Sequence, residues 1–310
     1  MNRLKALLVL GAAVLAAPSA SAEAATREYW VAAVPVTLNI APNGRDAIHG
    51  TALTPAETVF GTVVYRRYTK GWKLPIENVT APGSGNTDLI PGPLIRARVG
   101  DKIRVHFKNL DTAFNRSHSM HFHGVEYKPD SDGSYLPGFS GPDADVKPGK
   151  TWTYKLTAGR DSVGAWPYHD HGPEMGPSLE GGMFGMLSIL GKRERAPDRE
   201  YVVIFSPMGR FQAVNGRAFV GNTPVFKSRV GELVQWDVAV IGSEHHTFHV
   251  HGHRWRNPLG VAVDTITLGP AESARVRWRE RDVGTWMYHC HVESHMMAGM
   301  IGIYQVNKAR

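Results

Sequence analysis

Short runs of alternating apolar and polar residues, or of β-branched residues, recur along the chain. "IRVHF" (Ile103–Phe107), "WTYKL" (Trp152–Leu156), "ARVRW" (Ala274–Trp278) and "IGIYQV" (Ile301–Val306) are the clearest. Successive strand side chains point to opposite faces, so such runs suit strands with one buried face. Turn residues bound them at short intervals, drawn from 33 Gly and 20 Pro. No stretch of useful length carries a helical period. The pattern predicts antiparallel β-sandwich architecture.

The pattern also repeats. "RARVGDKIRVHFKNL" (Arg96–Leu110), "HSMHFHG" (His118–Gly124) and "WPYHDHGPEM" (Trp166–Met175) occur in that order. "KSRVGELVQWDVAVIG" (Lys227–Gly242), "HTFHVHG" (His246–Gly252) and "WMYHCHVESH" (Trp286–His295) follow with matching order and local spacing. A duplicated β-sandwich is expected, with a joint near residues 191–200. This divides the chain into a first domain over residues 23–193 and a second over 194–310, each within the common size range.

The balance of the 310 residues is that of a globular protein, with 42% hydrophobic and 20% charged. Residues 1–22 read as a Sec-type signal peptide. Arg3 and Lys5 form its charged start, Leu7–Ala17 its apolar stretch and Ala20-Ser21-Ala22 its cleavage site. That stretch is short for a bilayer span, and the leader holds no Arg-Arg pair. An exported protein, periplasmic or extracellular and not membrane-bound, is expected. Loss of Arg3 and Lys5 with the leader takes the formal charge from +7 to +5. The basic residues are scattered, and the cluster Lys192-Arg193-Glu194-Arg195 reads as a solvated linker, so no nucleic-acid partner is expected.

The unusual feature is 15 His against one Cys. A single cysteine makes no internal disulfide. In "HCH", alternation puts His289 and His291 on one face and Cys290 on the other. In "HTFHVH", His249 and His251 share a face and His246 takes the opposite one. Cys290, His246 and the following His295 and Met300 then supply a thiolate, two imidazoles and a thioether, the donor set of a blue-copper electron-transfer site. On the other face lie His249, His251, His289 and His291. The first unit offers His121, His123, His169 and His171 in the same form. Asp170 stands where Cys290 stands and Met175 where His295 stands, so no blue copper is expected there; His118, at the place of His246, is a leftover or a hydrogen-bonding residue.

Simpler roles suit other positions. His49, His106, His245 and His253 have no motif role and read as solvated or capping. Met183, Met186, Met296 and Met297 read as packing rather than a soft Cu(I) patch. Trp166 and Trp286 read as core at equivalent repeat positions.

The four motifs "HFHG", "HDH", "HTFHVHG" and "HCHVESHMMAGM" together resemble the multicopper oxidases, and most closely the bacterial two-domain (small) laccases; "APNGRD" (Ala41–Asp46) and "HGHRW" (His251–Trp255) look like that group too. The resemblance implies an all-β fold of two tandem cupredoxin-like Greek-key domains. It implies about four coppers per chain: type 1 on His246, Cys290, His295 and Met300; type 2 on His121 and His249; and a type 3 pair on His123, His169, His171, His251, His289 and His291. It further implies one-electron oxidation of phenolic or aromatic donors coupled to four-electron reduction of O2 to water. Tyr127, Asp132 and, more weakly, Asp264 are the candidate proton-supplying or redox-active neighbours of the cluster. Cluster ligands come half from each domain, and the small laccases close them between neighbouring chains, so a homotrimer is expected. A metallo-oxidase for Cu(I), Mn(II) or Fe(II) is the alternative of the same fold. A copper nitrite reductase is a further one, disfavoured because that class carries its blue copper in the first domain, at the place of Asp170.

Overall fold

The computed structural model describes residues 24–77 and 89–309; the leader expected over residues 1–22 lies outside them. In the N-terminal half the strands are β1 (Thr26–Asn39), β2 (Val59–Tyr68), β3 (Pro75–Ile76), β4 (Ile95–Arg98), β5 (Lys102–Asn109), β6 (His121–Phe122), β7 (Glu126–Tyr127), β8 (Thr151–Thr157), β9 (Gly164–His169) and β10 (Phe184–Leu190). They form two sheets, ordered β3-β2-β1-β5-β8-β7 and β4-β10-β9-β6. The C-terminal half has β11 (Arg199–Met208), β12 (Phe211–Val214), β13 (Val225–Arg229), β14 (Leu233–Val240), β15 (His246–Val250), β16 (Trp255–Arg256), β17 (Ala262–Val263), β18 (Thr265–Leu268), β19 (Ser273–Arg279), β20 (Gly284–Cys290) and β21 (Ile301–Asn307). Its larger sheets run β12-β11-β14-β19 and β13-β21-β20-β15-β18.

The topology repeats as the sequence does, with one correction to a purely antiparallel expectation. Each of the four larger sheets holds one parallel pair: β1 with β5, β4 with β10, β11 with β14 and β13 with β21. Parallel neighbours need a crossover, which here carries the chain between the two sheets of a sandwich.

Alternation is visible where one strand face meets solvent. In β5, Ile103, Val105 and Phe107 are buried while Arg104 and His106 are not. In β10 and β11 it vanishes, because both faces are covered. Leu187 and Ile189 enter the core of the first sandwich, whereas Phe184 and Met186 enter another. Tyr201, Val203 and Phe205 pack inside the second sandwich, whereas Val202 and Ile204 face the first. A third apolar core, shared by both halves, therefore lies between the sandwiches.

Polar groups fix this seam. Ser273 Oγ donates to Ala165 O (2.6 Å), and Arg275 donates to Ile189 O (2.9 Å) and lies 3.3 Å from Asp237 Oδ1. Gln235 Nε2 donates to Asp237 and to Glu200 Oε1. Burial pushes the Asp237 carboxyl up to about 7, against the pull of Arg275.

Candidate metal centres

The β15–β20 ladder sets the chemistry of the second unit. Phe248 pairs with Cys290 and His249 with His289. Directly paired residues share a face, so sulfur and the flanking imidazoles are separated by the sheet itself. Cys290 is fully buried in the apolar core, beside Phe248 and Met300. Its Sγ lies 3.6 Å from His246 Nδ1 and 3.8 Å from His295 Nδ1, and those two nitrogens are 3.1 Å apart. His295 comes back to the site because a short helix, α1 (Glu293–Met297), follows β20 directly. Met300 N donates to His295 O and Cys290 N to Met300 O, both at 3.1 Å, so the methionine backbone is tied to two members of the group. The Thr247 N–H points at Sγ from 3.4 Å. Burial raises the Cys290 thiol above its usual value, although that N–H favours the thiolate. Burial, aided by His295, holds His246 down at about 4. A cation of soft character at this point would compensate a buried thiolate and use both imidazole lone pairs.

The paired-histidine faces build the same arrangement twice. In the first unit His121 pairs with His169 across β6–β9. Ring centroids of His121 lie 5.0 Å from His123, 5.5 Å from His169 and 5.4 Å from His171. In the second, His249 lies 5.1 Å from His251, 5.5 Å from His289 and 5.4 Å from His291. The glycine of each H-x-H-G has φ near +70° and packs on the tryptophan of the partner strand. A Cβ on Gly124 would fall 2.0 Å from Trp166, and one on Gly252 would fall 2.6 Å from Trp286. These tryptophans are half-buried against the cores rather than inside them.

Tautomers follow from the acceptors. His121 Nδ1 faces Asp132 O (2.7 Å), His169 Nδ1 faces Asp170 O (3.0 Å), His249 Nδ1 faces Asp264 O (2.8 Å) and His289 Nδ1 faces Cys290 O (2.8 Å). A carbonyl only accepts, so each Nδ1 carries the proton and each neutral ring keeps its lone pair on Nε2. Those lone pairs converge: His169 Nε2 meets His123 Nε2 at 3.2 Å and His289 Nε2 meets His251 Nε2 at 3.1 Å. Burial and neighbouring histidines keep His123 at about 4, and burial keeps His169 there too; His251 and His289 are lowered for the same reasons. Neutral imidazoles aimed at a common point fit bound copper. Ring contacts join the members within each set, but none among the described residues joins one set to the other. Among the described residues the ring contacts thus fall into two separate sets.

Of the candidate neighbours, Tyr127 stands 6.2 Å from His121, ring to ring; burial and the nearby Asp132 raise its phenol. Asp132 Oδ1 is 3.5 Å from His121 Nδ1. Asp132 and Asp264 hold their histidines through backbone carbonyls, and the Asp264 carboxylate accepts from Thr265 Oγ1. Ser134 Oγ (3.1 Å) and Thr265 Oγ1 (3.2 Å) touch the same two Nδ1 atoms, a matched pair that spacing alone did not reveal.

Where the first unit lacks cysteine, a charged network fills the space. His118 Nδ1 meets Asp170 Oδ2 at 2.8 Å and His118 Nε2 meets Asp111 Oδ2 at 3.2 Å, with all three side chains fully buried. Ser119 N and Gly172 N donate to Asp170 Oδ1. Burial works against the imidazolium, but both aspartates outweigh it and raise His118 above its usual value, while His118 and the backbone donors hold Asp170 below the carboxylate range. His118 is the hydrogen-bonding residue of its two expected roles. His253 is corrected: it is not solvated but bridges His251 O (2.7 Å) and the buried Glu280 (3.1 Å). Met183 and Met186 are buried packing residues as expected.

Two multicopper oxidase family models match the chain, one over residues 70–194 and the other over 194–310. A probable nitrite reductase–hydroxylamine oxidoreductase fusion protein of Kuenenia stuttgartiensis is 33% identical over 251 residues, 73% of this chain and 28% of that one. The human ferroxidase HEPHL1 is 28% identical over 92% of this chain and 30% of its own. The chain thus spans under a third of the length of these curated relatives. Among solved structures, a multicopper oxidase matches with TM-score 0.68 and 24% identity over 91% of this chain and 89% of that one. A copper nitrite reductase from Nitrosomonas europaea matches with TM-score 0.68 and 19% identity, over 91% and 94%. With its sandwich fold, its imidazole clusters and these matches over both halves, the chain belongs to the multicopper oxidase family.

Proposed function

We propose that this protein is a two-domain laccase-type oxidase, exported from the cell, that oxidises phenolic or aromatic donors at the expense of O2. The observation that carries it is the back-to-back placement of Cys290, facing His246 and His295, and His289, facing His249 and His251, on one strand. His246, Cys290, His295 and Met300 would hold the blue copper, with His121 and His249 on type 2 copper and His123, His169, His171, His251, His289 and His291 on the type 3 pair. Bound copper would supply one-electron redox at the first group and dioxygen reduction at the second. The chain itself supplies the connection: Cys290 is covalently continuous with His289 and His291. The carbonyls of Asp132, Asp170, Asp264 and Cys290 orient the cluster imidazoles. Tyr127 and Asp132 stand beside His121 to hold and pass protons. Oxidation of four donors balances O2 and four protons against two waters.

The lack of any ring contact between the two half-clusters among the described residues supports completion of each by a neighbouring copy, in a closed homotrimer. The ferroxidase likeness favours a second reading, a metallo-oxidase for Fe(II), Cu(I) or Mn(II). Copper quantitation with visible and EPR spectra tests the proposal on wild type and Cys290→Ser. The expected result is about four coppers per chain with a blue band, and loss of that band with retained cluster signals in the variant. A wild-type protein loaded with copper that shows no blue band would refute it.

A further inference from the structure

His253, which bridges His251 O and Glu280, also lines a pocket of about 460 Å³ in the second unit. Five arginines line it, Arg254, Arg256, Arg277, Arg279 and Arg281, against two carboxylates, Glu280 and Asp282. Among the described residues Arg277 alone of the five has a carboxylate in ion-pair contact, that of Glu194. Arg256 donates to Gly260 O and Arg279 to Gly231 O, neutral acceptors that leave both charges in place. Glu280 is 2% exposed and fully engaged: its Oε1 accepts from Trp278 and Tyr304, and its Oε2 faces His253 Nε2. Asp282 is thus the one exposed acid of the lining, against four exposed arginines. Cations gathered in this way repel one another. An anionic occupant relieves that repulsion, and guanidinium forks match the oxygens of a carboxylate or sulfonate.

The wall is also flat and aromatic. Trp278 stacks on Trp255 with ring centroids 6.0 Å apart and planes 22° from parallel. His253 packs on Trp278 at 5.1 Å and on Trp286 at 5.4 Å. The indole N–H groups of Trp255 and Trp286 are buried with no acceptor among the described residues. Buried donors are nearly always answered, so this lining is short of acceptors as well as of negative charge. We propose that the pocket binds an aromatic anion, a flat ring bearing two carboxylate or sulfonate groups. The ring lies against the tryptophan wall, and the acid groups are held by Arg254 and Arg281. The volume suits a ligand of one or two rings. None of the histidines assigned to copper, nor Cys290, lines the pocket, so the site stands apart from the oxidation of donors.

Isothermal titration calorimetry on the copper-loaded protein tests this, with benzene-1,3-disulfonate as the probe and tryptophan fluorescence as a second readout. The affinity should fall as salt rises. Propane-1,3-disulfonate carries the same charge without a ring and should bind at least about threefold more weakly. Arg254→Gln/Arg281→Gln should weaken the aromatic probe about tenfold or more, through loss of two charge-assisted contacts. Both arginines are exposed, so the variant keeps the wild-type melting curve. Lys102→Gln/Arg104→Gln removes the same charge from a basic groove of the first unit and should leave binding unchanged. Equal affinity for the two disulfonates, or an equal loss in both double variants, would overturn the proposal by reducing the site to general positive charge. An arginine variant that binds the probe as wild type does but sediments as a smaller assembly would also overturn it, and would assign these arginines to a contact between copies.

Discussion

His118→Ala tests the physical account of the buried charged network in the first unit. The imidazole sits between Asp111 and Asp170, 3.2 and 2.8 Å away, and no side chain of the three touches solvent. Its removal leaves two buried carboxylates facing a void. Breaking a buried pair by deleting one partner costs about 3–5 kcal/mol. For a chain of this size class that corresponds to a fall in Tm of roughly 6–20 °C, at about 2–4 °C per kcal/mol. The pH dependence is a second signature. In the variant the carboxyls, deprived of the imidazolium, are free to rise in pKa and take up a proton, which relieves the penalty in acid. In wild type His118 has a raised pKa, so its stabilisation is fully present below about 6.5 and is lost as pH rises through its folded value. The loss should therefore be larger at pH 6.5 than at pH 5. Guanidinium unfolding followed by tryptophan fluorescence at both pH values measures it. A loss under about 1 kcal/mol, or one equal at both pH values, would refute the idea that charge pairing replaces a metal here.

Gly124→Ala should destabilise by about 3 kcal/mol, because the position has φ +69° and its new methyl would overlap Trp166; a melting curve within 1–2 °C of wild type would contradict this. Complementation tests the shared cluster: His169→Ala/His171→Ala chains and His289→Ala/His291→Ala chains should each be inactive, yet regain oxygen uptake when refolded together. Lack of rescue in a mixed oligomer would place both half-clusters within one chain. Asp237 has its folded pKa raised to about 7 from 3.8, so the folded state binds the extra proton and stability from this group declines between about pH 4 and 7. Asp237→Asn should flatten that slope in thermal melts from pH 5 to 8, and an unchanged slope would show that the proton is held elsewhere.

The grouping of the histidines and the cysteine was legible in the sequence because it depends on parity. His289, Cys290 and His291 are neighbours, and extended backbone alone decides which way each points. The duplicated order of motifs was equally readable. What stayed hidden depends on partners distant along the chain or on backbone atoms, which carry no residue signature. Asp132 and Asp264 drew notice for their carboxylates, yet their carbonyls are what hold His121 and His249. His253 looked idle because Glu280, its partner, lies 27 residues away. The parallel pairs were missed because alternation reports which face a side chain takes and says nothing of strand direction.

The core between the sandwiches has a consequence for how the molecule can be handled. Val202, Ile204, Met208, Phe211, Ala213 and Phe219 face it from the second half, and Phe184 and Met186 meet them from the first. Cutting the chain at the joint would turn this interior into a greasy outer wall on each fragment. The separated pieces are then expected to clump in dilute buffer, so engineers who wish to graft the second half elsewhere must first repaint that wall with polar residues.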